Sequence, residues 1–256
     1  MSAATGLWPL LADLRAHRFI DLTHGFSPDT PHSPDFGPAG FRRLYAYGDN
    51  LGGRPAGFMS HEYRFAGQYG THVDPPGHFH EGGAMLDAIP VSEMVLPLVV
   101  LDIRGAVAAD PDACATRADV AAWEARHGRI PDGAFVALRS GWSRRWPDQD
   151  RMLNKDGAGV RHSPGWSLDV LRLVFEERGA LACGHETIDT DPGLALSLTG
   201  NGALERYVLE SGRWQIELMA GLEDVPEAGA IVVASWPKPL GGSGFPARVF
   251  AIVPAG

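Results

Sequence analysis

The chain has 256 residues, 32 of them glycine and 20 proline, with a formal net charge of −9. Glycine and proline make up about a fifth of the chain, against roughly 12% on average, yet 45% of the residues are hydrophobic. This describes a turn-rich globular protein, and it excludes a disordered tract, a basic nucleic-acid binder and, since no apolar run nears ~18 residues, a helical membrane span.

In chain order, the first strand is expected over residues 19–22. Residues 24–57 are the stretch richest in glycine and proline and read as loop. A strand over 96–103 follows. Thr116 caps a helix that runs through Asp119 to His127, with Gly128 as its stop. Residues 134–138 form a strand. Ser167 precedes a helix over 168–178, whose Leu168, Leu171, Val174 and Phe175 share a face and which ends at Gly179. Further strands are expected at 180–183, 214–218, 230–234 and 248–253, and a third helix at 203–209. Too few helices serve as crossovers for a strict doubly wound sheet. The expectation is an α/β fold with a mixed, barrel-like sheet and helices packed outside. No repeat or linker divides the chain, so residues 1–256 are taken as one domain. Cys114 and Cys183 are isolated and suit a reducing compartment, and no secretory signal is expected, so the protein is placed in the cytoplasm.

The most informative stretch is Gly-Thr-His-Val-Asp-Pro-Pro-Gly-His-Phe-His over residues 70–80. His72 and Asp74 stand two apart, and in extended chain such residues point to one side. An imidazole and a carboxylate on one ion suit zinc or manganese better than calcium. The alternative is a surface hydrogen bond. Pro75 and Pro76 fix a turn that brings His78 back toward the ion, and Gly70 allows close approach of backbone or substrate. His80 follows His78 by two and points outward. Trp142, Trp146, Trp166, Phe65, Tyr69 and Phe79 supply either a flat aryl pocket or core, with Tyr69 and Phe79 flanking the motif. There is no Gly-x-Ser-x-Gly nucleophile motif. The glycine-rich residues 241–244 lack a phosphate-loop lysine and form a hairpin or loop near the mouth of the site.

The same stretch resembles the signature of the cyclase family of metal-dependent hydrolases, His-x-Gly-Thr-His-x-Asp-x-Pro-x-His, to which bacterial kynurenine formamidase and isatin hydrolase belong. Here Gln68 stands at the leading histidine. Further blocks are similar to the family in order: residues 21–31, 130–142, 184–192, 216–222 and 246–252. The resemblance implies the swivelling β/β/α fold. It implies that His72 and Asp74 bind a divalent cation, that His78 is the general base or proton shuttle, and that Glu217 is a further ligand. Two family histidines are replaced, by Gln68 and Glu205, so one manganese or zinc ion is expected, with Gln68 offering a carbonyl oxygen. His185 and Glu186 also depart from the family. His185 compensates for the missing histidine or packs in the core. Glu205 is an oxygen ligand, a substrate contact or an exposed helix residue; Glu186, Tyr69, Phe79 and His80 are taken as substrate contacts or supports, and Thr23 and His24 as weaker pocket residues.

The implied activity is hydrolysis of an amide or cyclic amide, of the aryl-formamide or isatin type, with His78 (unperturbed pKa about 6.5) moving the proton. The alternatives are a cyclase or dehydratase acting on a carbonyl substrate, and a non-catalytic metal-binding protein on the same scaffold. A small-molecule substrate and a homodimer or homotetramer are expected, with no nucleic-acid or membrane partner.

Overall fold

Short runs of valine, isoleucine and leucine, punctuated by glycine and proline, assemble here into one large sheet. The computed structural model describes residues 6–255. The strands are β1 (Arg18–Asp21), β2 (Gly40–Tyr45), β3 (Asn50–Leu51), β4 (Arg54–Pro55), β5 (Ser60–Arg64), β6 (His72–Asp74) and β7 (Val95–Asp102). They continue with β8 (Phe135–Arg139), β9 (Ala182–His185), β10 (Trp214–Glu217), β11 (Ala230–Ser235), β12 (Phe245–Pro246) and β13 (Arg248–Val253). The α-helices are α1 (Trp8–Arg15), α2 (Arg104–Ala109), α3 (Arg117–His127), α4 (Gln149–Leu153), α5 (Leu168–Arg172), α6 (Gly193–Thr199) and α7 (Ala203–Glu210).

Nine strands form a curled, mixed sheet in the order β1-β13-β11-β7-β8-β9-β10-β6-β12. The central four, β7 to β10, run parallel, and their connections carry α2 to α7. The flanking pairs are antiparallel. Strand alternation divides the core in two. Leu98 and Val100 of β7 join Val73, Phe135, Ile216, Val232 and Val249 in a cluster built mainly from strands. Val99 and Leu101 face the other way, onto Val120 and Trp123 of α3, Val170 and Leu171 of α5, and Val208 and Leu209 of α7. The expected barrel-like sheet with helices outside is this arrangement.

All seven expected strands form, within two residues at each end. The expected cap of α3 is a full capping box: Thr116 Oγ1 accepts from the Asp119 amide, and Asp119 accepts from the Thr116 amide. The helix expected over 168–178 begins at α5 but widens into a π turn at Leu173–Glu177. Leu173, Val174 and Phe175 are consecutive and all buried, which the regular helical stripe does not allow. The stretch expected as loop holds two small antiparallel pairs instead, β3 with β4 and, just beyond residue 57, β5 with β2. Their side chains are largely exposed, so no buried face imposed an alternation on the sequence. The short α1 and α2 bury none of their residues, so they too carry no apolar stripe. No helix among the described residues is long and apolar enough to cross a membrane.

One glycine sits where the central strands meet the site. A Cβ at Gly184 of β9 would come within 2.6 Å of both Met219 Sδ and Phe135 Cζ and 3.0 Å of the Ile216 carbonyl. Gly184→Ala is expected to destabilise the fold by about 1–3 kcal/mol through overpacking. Urea unfolding should show a lower midpoint at unchanged m; an unchanged midpoint would contradict this packing.

Candidate metal centre

The antiparallel pairing of β6 with β10 sets Glu217 opposite His72 and Gln215 opposite Asp74, with Val73 opposite Ile216. Val73 and Ile216 go into the strand-built core. The period of two therefore sends His72, Asp74, Gln215 and Glu217 together to the other face. All four are buried. His72 Nε2 lies 3.4 Å from Asp74 Oδ2 and 3.5 Å from Glu217 Oε2. One ligand atom from each of the three lies within 4.8 Å of the others.

Local structure aims these groups. Gly70 adopts φ +65°, a left-handed conformation that suits glycine, and its carbonyl accepts from His72 Nδ1 at 2.8 Å. With the proton thus fixed on Nδ1, Nε2 presents its lone pair to the cluster. Gln215 Nε2 donates to Glu217 Oε1 at 3.0 Å and Asp74 Oδ2 at 3.3 Å, and Thr190 Oγ1 donates to Gln215 Oε1 at 2.8 Å. Leu218, next to Glu217, also has positive φ, +53°, a conformation costing on the order of 1–3 kcal/mol for a non-glycine residue. Thr71 Oγ1 holds its carbonyl at 2.6 Å, and its amide donates to the Thr187 carbonyl at 3.2 Å.

The donor set fits a divalent cation. His72 Nε2 and Asp74 Oδ1 are buried with no hydrogen-bond partner among the described residues. Two buried carboxylates and a neutral imidazole leave an uncompensated negative charge, which is expensive in an interior. Without an ion the site draws in protons. Burial opposes a charge on His72, but Asp74 and Glu217 outweigh it and lift its pKa to about 9. Burial, then the Asp74 charge, pushes the Glu217 carboxyl well above its usual range. A hard divalent ion on nitrogen and oxygen ligands satisfies the same demand.

The cluster opens on a cavity of about 520 Å³, reached by His72, Glu217, Gln68, His78, Phe79 and Glu205. Pro75 and Pro76 lead into a single 3-10 turn at Pro76–His78. The turn swings His78 to within 3.7 Å (Nε2) of Glu205 Oε1. Burial lowers the His78 pKa, with Asp74 raising it and His72 lowering it further. Glu205 rides at the start of α7, where Asp191 accepts from the amides of Leu204 at 3.0 Å and Glu205 at 3.1 Å. Burial, then Glu217 and Asp74, raises the Glu205 carboxyl well above its usual range. Asp74, His78 and Glu205 form a second group of converging ligand atoms. Gln68 Nε2 donates to the Ser243 carbonyl at 2.7 Å, so the glycine-rich 241–244 loop meets the cavity edge, and Oε1 is the amide atom with lone pairs for an ion.

Other expected site residues lie elsewhere. His185 is buried beside the cluster, Nε2 3.3 Å from Glu217 Oε1, with neither ring nitrogen hydrogen-bonded; burial lowers its pKa to about 4. Glu186 does not face the cavity. Its carboxylate accepts from the amides of Ser140, Gly141 and Trp142 and the hydroxyls of Ser140 and Ser143, and so ties down the turn after β8. Tyr69 is wholly buried, and its hydroxyl donates to the Pro28 carbonyl. His80 is exposed on the turn. Trp142 and Trp166 are core, Trp146 stacks on His24 at 4.2 Å, and Thr23 Oγ1 donates to the Val249 carbonyl. Of the two readings left open for the aromatics, the tryptophans go to the core or to His24 and Phe79 reaches the cavity, whose other apolar lining is Phe36, Ile188, Leu196 and Leu218. Gln215 was legible by the same period of two that pairs His72 with Asp74; Thr190 and the Gly70 carbonyl carried no sequence signal.

The family model described as putative cyclase matches residues 20–192. The chain belongs to the cyclase family. It is 30% identical over 268 residues to an isatin hydrolase of Roseibium aggregatum, covering 99% of both chains. It is similar to the solved isatin hydrolase A of Labrenzia aggregata bound to benzyl benzoate, at 32% identity and a TM-score of 0.87, covering 98% of this chain and 100% of that one. Isatin hydrolase A of Ralstonia solanacearum matches equally, at 32% identity and 0.87, over 99% of each chain.

Folded His72 keeps its proton to about pH 9, whereas in the unfolded chain it loses it near 6.5. This contribution to stability is full below about pH 6.5 and is lost as pH rises through about 9; the raised Glu217 carboxyl acts in the same direction. Metal-free protein is expected to lose thermal stability over that window. The gain in Tm on adding Mn2+ should be larger at about pH 8.5 than at about pH 6. A gain that shrinks with rising pH would contradict the site.

Proposed function

We propose that the protein is a metal-dependent hydrolase that opens the C–N bond of a cyclic amide of the isatin type, with aryl-formamides as a second substrate class. The observation that carries this reading is the buried His72–Asp74–Glu217 group, whose His72 and Glu217 line the same cavity as His78. His72, Asp74 and Glu217 would hold one ion, Mn2+ or Zn2+, with Gln68 Oε1 as a further oxygen. A bound divalent cation supplies a Lewis acid that polarises a carbonyl and acidifies water.

This chain's own residues supply the rest. Phe36, Phe79, Ile188, Leu196 and Leu218 grip a flat ring and keep bulk water from the carbonyl. The depressed His78 pKa keeps the imidazole neutral near pH 7. Its Nε2 then accepts the proton of the attacking water, and the same proton passes to the departing nitrogen as the C–N bond breaks. The products are a carboxylate and an amine. Glu205 Oε1, 3.7 Å from His78 Nε2, lies beside the ring and helps to orient it. A cyclase or dehydratase would also use the ion, but the isatin hydrolase likeness over the full chain favours hydrolysis.

The Asp74–His78–Glu205 group supports one second reading, a pair of ions with His78 as ligand. Elemental analysis separates them: one equivalent of metal is expected, and two would reassign His78. We also place the protein as a homodimer or homotetramer. In support, α1 buries none of its residues and leaves Trp8, Leu10 and Leu11 exposed.

His78→Ala is expected to lower kcat on isatin about 10²- to 10⁴-fold while leaving Mn2+ affinity intact. In the parent enzyme kcat/KM should rise with pH through an apparent pKa below about 6.5 and be flat at neutrality. An unchanged kcat, or an ascending limb above about pH 7, would refute His78 as the base.

A further inference from the structure

The cavity contains a cation that the hydrolytic scheme leaves without a task. Arg161 reaches the cavity from the loop between α4 and α5. That loop is fastened at several points. Asn154 Nδ2 donates to the His162 carbonyl at 2.7 Å, the Arg161 amide donates to Ser197 Oγ at 2.9 Å, and the Gly193 amide donates to the Ser163 carbonyl at 3.0 Å. The guanidinium is equally fixed. Nη1 donates to Asp189 Oδ2 at 2.9 Å, and the side chain is only 19% exposed. Arg206, the other cavity arginine, is 50% exposed and tied to Glu210 and the Phe79 carbonyl.

Among the described residues, Asp189 is the side chain that accepts from the Arg161 guanidinium. An arginine carries five N–H donors in a planar fork. Nε and Nη2 thus remain as donors on a cavity wall, beside the apolar Ile188 and Leu196. The charge balance says what they suit. The Arg161–Asp189 pair is neutral as a unit, and Glu205 and Glu217 line the same cavity. With Asp189 already on the guanidinium, the fork has no charge left over for an anion, and a neutral carbonyl oxygen is the acceptor that suits it.

We propose that Arg161 is the specificity-determining residue of this cavity: it donates to a second carbonyl of the substrate, adjacent to the scissile one, and so selects cyclic 1,2-dicarbonyl amides over plain lactams. The hydrolase reading enters only as the source of the scissile amide. Asp189 positions the fork.

The test compares isatin with oxindole, the same ring without the second carbonyl. Dissociation constants are measured by calorimetry on manganese-loaded, full-length protein in a His78→Ala background, where turnover is slowed about 10²- to 10⁴-fold. Arg161→Gln is expected to weaken isatin binding roughly 10- to 100-fold, the range of a charge-assisted hydrogen bond, and to change oxindole binding less than about twofold. Arg161→Lys, which keeps the charge but not the fork, should also weaken isatin selectively and guards against a misfolded glutamine variant. Mn2+ affinity should be the same in all three proteins. Equal losses for both ligands, no loss for isatin, or a parent that binds the two alike would overturn the assignment. If Arg161-dependent isatin binding is found but enzyme with His78 intact does not hydrolyse isatin, the hydrolase reading falls and this assignment stands. Hydrolysis with a KM unmoved by Arg161→Gln overturns this assignment and leaves the hydrolase reading in place.

Discussion

The antiparallel register of β6 on β10 is the constraint on which the site depends. It sets His72 opposite Glu217 and Asp74 opposite Gln215, while Val73 and Ile216 lock the same two strands into the core from behind. A slip of one residue would bury the ligands among hydrocarbon and turn the valine and isoleucine to the cavity. Core burial therefore enforces metal-site geometry. The flanking turn completes the aim, because the Gly70 carbonyl fixes the His72 tautomer and Thr71 holds the strained Leu218 next to Glu217.

Electrostatics then explains why such a site persists in the interior. Two carboxylates without compensation would be costly there; protons on His72 and Glu217 meet that cost in the metal-free protein, and a divalent ion on the same ligands would meet it too. The remaining acidic groups are dealt with separately. Glu186 is saturated by backbone and serine donors, Asp191 by the amides at the start of α7, and Asp189 by Arg161. Only Glu205 stays close to His78 in the cavity, where burial favours its neutral form. The net charge of −9 thus includes carboxylates that local donors satisfy.

Much of this was legible in the sequence where burial imposes a period. The seven strands that build the large core, and the capped α3, follow from β-branched runs, Thr116, Asp119 and Gly128. The period of two placed His72 and Asp74 on one side, and the double proline announced the turn to His78. Other features were hidden for physical reasons. The β2–β5 hairpin is exposed, so neither of its faces had to be apolar. Glu186 and Tyr69 sit beside motif residues in sequence, but strand alternation and a sharp turn send them elsewhere. Trp142 and Trp166 were ambiguous between pocket and core because a large aromatic serves both, and the core took them. Arg161 belongs to a loop whose approach to the cavity depends on contacts with residues 189 to 197, distant in sequence.

The central claim is that the buried triad binds a metal. A crystal structure of protein grown with Mn2+, with anomalous scattering measured at the manganese edge, tests it directly. A strong peak is expected, bonded to His72 Nε2, Asp74 and Glu217, with His72 Nδ1 still on the Gly70 carbonyl. No anomalous peak, with His72 Nε2 paired to the carboxylates instead, would contradict it.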